Sequence, residues 1–136
     1  MIKAGADLNV KAKNGETCLF DAVRGKKYEM VELLIEKGID INLTNFYDDN
    51  ALKTAVSMGS QNINIVRLLL ESKINPNLKS IHGETPLHEA VRQGNAQLVK
   101  LLLQYKADPS IKDDNGKTAA DWAESRKMDK ITILFK

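Results

Sequence analysis

A single cysteine, Cys18, in 136 residues leaves no partner for an internal disulfide, and a reducing compartment such as the cytoplasm suits the chain best. Aromatic side chains make up only 5% of the residues, too few to line a large cofactor pocket. Two histidines and that one cysteine supply no ligand set for zinc. No apolar run approaches the roughly 20 residues needed to span a bilayer. The opening Met1-Ile2-Lys3-Ala4-Gly5-Ala6-Asp7 has no apolar signal-peptide core. Neither sign of charge dominates: the net charge is +2, with acidic and basic residues interspersed. That pattern carries no electrostatic footprint for nucleic acid or for an anionic membrane. A phosphate-binding glycine loop and a Gly-x-Ser-x-Gly elbow are also missing. These absences point away from an enzyme, and no cofactor or metal is expected.

What is present is a composition suited to one folded domain, 1–136, with 43% hydrophobic and 28% charged residues. Its dominant feature is a period. Three segments open alike: Thr17-Cys18-Leu19-Phe20-Asp21-Ala22-Val23, Asn50-Ala51-Leu52-Lys53-Thr54-Ala55-Val56 and Thr85-Pro86-Leu87-His88-Glu89-Ala90-Val91. A fourth, Thr118-Ala119-Ala120-Asp121-Trp122-Ala123, closes the chain, and the four first residues are 33, 35 and 33 apart. Leu33-Leu34-Ile35, Leu68-Leu69-Leu70 and Leu101-Leu102-Leu103 keep the same rhythm. So do the unit tails, Gly5–Asn9, Gly38–Asn42, Ile74–Asn77 and Ala107–Ser110. Three landmarks in one register define a repeat protein. Ala22 to Val31 and Ala90 to Val99 are nine residues apart, but Ala55 to Val66 is eleven. The two extra residues therefore fall within Ser60–Asn64, where polar side chains suit a turn.

One unit shows the physics. Thr85 suits an N-cap, and Pro86 suits the first helical position, where its missing N–H costs nothing. Leu87, Ala90 and Val91 line one face of a short helix, which Gly94-Asn95 ends. A second helix from about Ala96 to Tyr105 turns Leu98, Val99, Leu101 and Leu102 to one side. Ala107–Lys112 and Asn115-Gly116 read as a hairpin-like link, with Gly116 supplying a positive φ. Helices this short are marginal alone, since about 12–15 residues are needed in water. Each apolar face must be covered by the next unit, which makes the chain a solenoid.

Gly83-Glu84-Thr85-Pro86-Leu87-His88-Glu89-Ala90, then Gly94, Leu98–Leu103 and Ala107-Asp108, resembles the ankyrin repeat almost position by position. The resemblance covers essentially the whole chain and implies an all-α solenoid of helix-turn-helix units linked by hairpin-like loops. The units expected are a partial repeat 1–13, repeats 14–46, 47–81 (with the insertion) and 82–114, and a capping repeat 115–136. Cys18 departs from the signature's proline, and Asp48 stands where Gly15, Gly83 and Gly116 stand. Asp tolerates the left-handed region better than most residues. Ile2–Asn9 matches only the end of a repeat, so further repeats are expected upstream in a parent protein. Arg126, Lys127, Asp129, Lys130 and Thr132 make the last unit polar, as a C-terminal cap should be.

The resemblance also implies a role: binding a protein partner, here unidentified, through hairpin tips and the exposed side of the first helices. By position those are Lys13, Asn14, Glu16 and Arg24, then Phe46, Tyr47, Asp49, Ser57 and Met58. Next come Ile81, His82, Glu84, Arg92 and Gln93, then Asp114, Asn115, Lys117, Ser125 and Arg126. Most are polar, so the nonpolar members Phe46, Tyr47 and Ile81 stand out as an interaction hot spot. The competing reading has Phe46 folding onto Tyr47 or the hairpin base and only stiffening the turn.

His88, in the Thr-Pro-Leu-His signature, is expected to tie neighbouring turns together. Cys18 reads as a structural thiol. Asp48-Asp49-Asn50 and Asp113-Asp114-Asn115 read as turns, because neither continues with the spacing of a calcium loop. Asp21, Glu89, Arg24 and Arg92 suggest solvated helix faces with ion pairs between repeats, and Trp122 a large side chain filling the terminal core. The chain is expected to be monomeric. The alternative function is a non-catalytic spacer or regulatory arm of a larger protein.

Overall fold

The structure, a computed structural model, describes residues 8–135. Among them are eight α-helices in four pairs and no strand. The pairs are α1 (Cys18–Arg24) with α2 (Tyr28–Glu36), α3 (Ala51–Ser57) with α4 (Ile63–Glu71), α5 (Pro86–Arg92) with α6 (Ala96–Gln104), and α7 (Ala119–Ser125) with α8 (Asp129–Thr132). The stump expected over Ile2–Asn9 lies, as far as Asp7, outside the described residues.

First helices stack on first helices and second helices on second helices, from one end of the array to the other. Ala22-Val23, Ala55-Val56 and Ala90-Val91 are buried where the first helices meet, and their small side chains let the backbones approach. Leu34, Leu69 and Leu102 fill the layer beneath from the second helices. At seven to nine residues in the first three pairs, no helix would persist alone, so the shared core supplies the stability.

The caps follow the sequence. Thr85 accepts from the His88 backbone N–H while the His88 ring faces the Thr85 N–H, a reciprocal capping box. The second His88 nitrogen lies 2.9 Å from the Lys117 carbonyl, so this side chain ties two repeats, as expected. Thr118 and Asp121 make a second box, and Asn50 caps α3 in place of threonine. Thr17 breaks the series: its hydroxyl is buried with no hydrogen-bond partner.

The insertion in the second repeat is structured rather than an open loop. Gly59–Asn62 forms a 3-10 turn between α3 and α4. It carries Asn62 inward, where the side-chain amide donates to the Val23 carbonyl of the preceding repeat at 3.2 Å. Gln93 makes the corresponding bond to the Val56 carbonyl at 2.9 Å.

A side-chain ladder ties the far edge. Asn9 accepts from the Asp40 N–H, Asn42 from the Asn75 N–H, and Asn77 from the Asp108 N–H. Asp40, Asn75 and Asp108 in turn each accept from the N–H two residues on. Every inter-repeat step along this edge thus satisfies a loop N–H that would otherwise need water.

Candidate functional site

The site begins with the tips between repeats. Each is closed by two backbone bonds, such as Asn45 N–H to the Asp49 carbonyl at 3.0 Å and Asp48 N–H to the Asn45 carbonyl at 3.1 Å. Gly15, Gly83 and Gly116 sit at φ 83°, 76° and 76°, and Asp48 takes the same left-handed place at 61°. Asn45 and Asp113 each accept two N–H groups of their own tip.

Neighbouring tips are joined by one backbone bond apiece. Phe46 N–H donates to the Asn14 carbonyl at 3.3 Å, Ile81 N–H to the Tyr47 carbonyl at 3.0 Å, and Asp114 N–H to the His82 carbonyl at 3.1 Å. This ladder fixes the tips as a row beside the stacked first helices. Close approach explains the glycines: a Cβ on Gly15 would meet the Phe46 ring at 2.7 Å, and one on Gly83 the Asp114 backbone nitrogen at 2.8 Å.

Ion pairs within each of the first three helix-pair repeats line the face below the tips. Arg24 holds Glu16 through both carboxylate oxygens, and Asp21 lies 3.9 Å away. Asn45 and Asn14 also donate to Glu16. The Arg24 hydrogen bonds outweigh burial and hold the Glu16 carboxyl below the usual glutamate range. Arg92 repeats the arrangement with Glu84 and Glu89 and lies 5.1 Å above the Trp122 ring. Lys53 Nζ is 3.5 Å from Asp49 Oδ1, an ion pair without a hydrogen bond to that buried oxygen. Burial pushes the Asp49 carboxyl up despite Lys53. Among these groups opens a groove of about 280 Å³ lined by Glu16, Arg24, Tyr47, Asp49, Lys53 and Ser57.

Stacked helix pairs, a ladder of tips and the threonine–histidine box form one repeated unit, and the comparison with known families agrees. The family described as ankyrin repeats (3 copies) matches residues 1–80 and 61–136. The chain belongs to the ankyrin-repeat family.

Relatives show how the unit is used elsewhere. The chain is 35% identical over 99 residues to the ankyrin repeat and KH domain-containing protein mask-1 of Caenorhabditis elegans, covering 72% of this chain and 4% of that protein. It is 35% identical over 132 residues to alpha-latrotoxin-Lg1a of Latrodectus geometricus, covering 96% of this chain and 10% of the toxin. It is 34% identical over 88 residues to the B-cell lymphoma 3 protein homolog of Mus musculus, covering 64% and 19%. The chain thus spans less than a fifth of each relative's length. Ankyrin repeats are in general non-catalytic, protein-binding modules.

Within this ankyrin stack the predicted residues separate into groups. Phe46, Tyr47 and Ile81 are 70%, 62% and 54% exposed on adjacent tips. The Phe46 ring lies against Gly15 of the preceding tip. Asn14, His82 and Asp114 are exposed members of the tip ladder, and Arg24 and Arg92 stand on the helix face beneath. Met58 turns inward, half-buried, with its sulfur accepting from the Asn62 amide at 3.5 Å.

Three expectations need correction. Glu16 is buried beneath Arg24 rather than displayed, because its carboxylate collects three donor side chains. The arginine ion pairs lie within repeats, since each arginine reaches back to its own tip. Trp122 packs against the edge of the core rather than filling it. It is half-buried, donating from Nε1 to Asp113 at 3.0 Å and meeting His88 edge-on at 5.1 Å, so it bridges the last two repeats. Asn45 and Lys53 were missed. Aligning Asn45 with Asp113 would have flagged the first; Lys53 carries no signal beyond its spacing from Asp49.

Proposed function

We propose that this ankyrin stack binds a protein partner through the tip row and the adjoining face of its first helices, centred on Phe46, Tyr47 and Ile81. Asn14, His82 and Asp114 flank that centre, with Arg24 and Arg92 below and Met58 at its inner border. The observation that carries the reading is the exposure of three large apolar side chains on two neighbouring tips that share a backbone hydrogen bond. Apolar surface rimmed by polar groups is what interfaces bury, and aromatic anchors carry much of their energy. The stack acts without catalysis or cofactor, as a monomer of four helix pairs in the cytoplasm, a location that its lone cysteine suits.

Position-specific cross-linking tests this reading. A photo-reactive phenylalanine analogue at Ile81 should capture the partner, and the same probe at Lys100, exposed on α6, should not. Capture from Lys100 alone would place the interface on the opposite side. A second reading, a regulatory arm within a longer protein, is favoured by the small share of each relative that the chain spans. In that case the captured segment belongs to the parent protein itself.

A further inference from the structure

Only two glycines in the chain follow an asparagine, Gly15 after Asn14 and Gly116 after Asn115, and both pairs close a tip. A glycine in that place leaves the asparagine side chain open to the next backbone nitrogen, because no Cβ shields it. The two pairs share a backbone shape. φ is 83° at Gly15 and 76° at Gly116, and each glycine N–H donates at 2.9 Å, to the carbonyl of Ala12 or of Asp113.

Their surroundings differ. Gly15 is buried, with the Phe46 ring of the next tip against it, whereas Gly116 is exposed and a Cβ there would meet no neighbour within 4 Å. The Asn14 side chain is held at both ends: it donates to the Glu16 carboxylate at 3.0 Å and accepts the Glu16 N–H at 3.0 Å. Its carbonyl accepts from the Phe46 N–H at 3.3 Å. Among the described residues, the Asn115 side chain and carbonyl have no such partner; only its N–H is bonded, to Asp113.

We propose that Asn115 is a site of spontaneous covalent modification, deamidating in the folded protein while Asn14 is protected. The Gly116 nitrogen gives its proton to solvent base and attacks the Asn115 Cγ. A C–N bond forms as the C–NH2 bond breaks, and ammonia leaves with a proton from solvent. Water then opens the succinimide ring at either carbonyl, giving aspartate or an isoaspartyl link. The tip must open locally to free the Gly116 N–H from Asp113, and an exposed tip with an unheld side chain does so most readily.

Either product puts a new carboxylate beside Asp114. The isoaspartyl link also lengthens the backbone between the Asn115 and Lys117 N–H groups, which both donate to Asp113. Asp113 holds Trp122 Nε1 at 3.0 Å, so the change reaches the junction of the last two repeats.

The test is mass spectrometry of tryptic peptides after the full chain has aged at mildly alkaline pH, folded or in urea, with an unaged digest as blank. Trypsin separates the two sites, one in Asn14–Arg24 and the other in Asp113–Lys117. In the folded chain Asp113–Lys117 should gain the amide-to-carboxylate mass at least about tenfold faster, and in urea the two rates should come within about threefold. Similar rates in the folded chain, or a tenfold gap that survives in urea, would overturn the proposal. So would an Asn115 that stays unchanged in the folded chain while it converts in urea.

Discussion

Thr17 and Thr85 hold the same position in their repeats but meet different neighbours, and stability should separate them. Thr85 caps α5 and meets His88, so Thr85→Val should cost about 1–2 kcal/mol in urea denaturation. The Thr17 hydroxyl is buried and unpaired, so Thr17→Val should be neutral or stabilise by up to about 1 kcal/mol. Lys73 and Lys106 sit just beyond α4 and α6 at φ 69° and 70°, where Gly38 stands after α2. Replacing either lysine with glycine removes left-handed strain at an exposed site and should stabilise by about 0.5–1 kcal/mol. A loss of stability in both variants would show that these lysines contribute something beyond the turn.

At the scale of elements, the tips give the sharpest contrast. Gly83 and Gly116 share one φ, but only Gly83 would bring a Cβ against a neighbouring tip. Gly83→Ala should therefore cost more than Gly116→Ala, by about 1 kcal/mol or more in the same denaturation assay. Equal losses would mean that the tips do not press on one another. The helices and tips were legible because Thr85-Pro86 and Asn115-Gly116 act through local backbone chemistry that survives in any context. The 3-10 turn at Gly59–Asn62 was located but not described, since its shape depends on Asn62 finding the Val23 carbonyl 39 residues away. Trp122 was misplaced for the same reason: its small neighbours suggested a core, while Asp113, His88 and Arg92 decide where the ring lies. The apolar trio at the site could be read because exposure follows from tip position; burial of Glu16 could not, because it needs Arg24 and Asn45 together.

For the whole molecule, pH reads out the balance of buried carboxylates. Glu16 has a folded pKa held below the ordinary value of about 4.3 by Arg24. Its contribution to stability is therefore complete above that value and is lost as the pH falls through the lowered folded pKa. Glu16→Gln should flatten that acid limb of a thermal-melt series. Asp49 has the opposite sign: burial raises its pKa, so its charge opposes folding at neutral pH and the opposition fades on acidification. Asp49→Asn should accordingly keep or raise the neutral-pH melting temperature.

The same molecule-wide view puts the apolar core in the stacked helices and leaves the tip trio free of it. Leu87→Ala, within that core, should cost about 2–5 kcal/mol, whereas truncating the exposed Phe46, Tyr47 or Ile81 side chains should scarcely move the melting temperature. The most direct measurement is therefore the partner's affinity for Phe46→Ala/Tyr47→Ala beside the melting temperature of that variant. A loss of binding of about 2 kcal/mol or more, with folding unchanged, is the predicted result. Undiminished binding, or a fall in stability large enough to explain the loss, would contradict a binding surface at these tips.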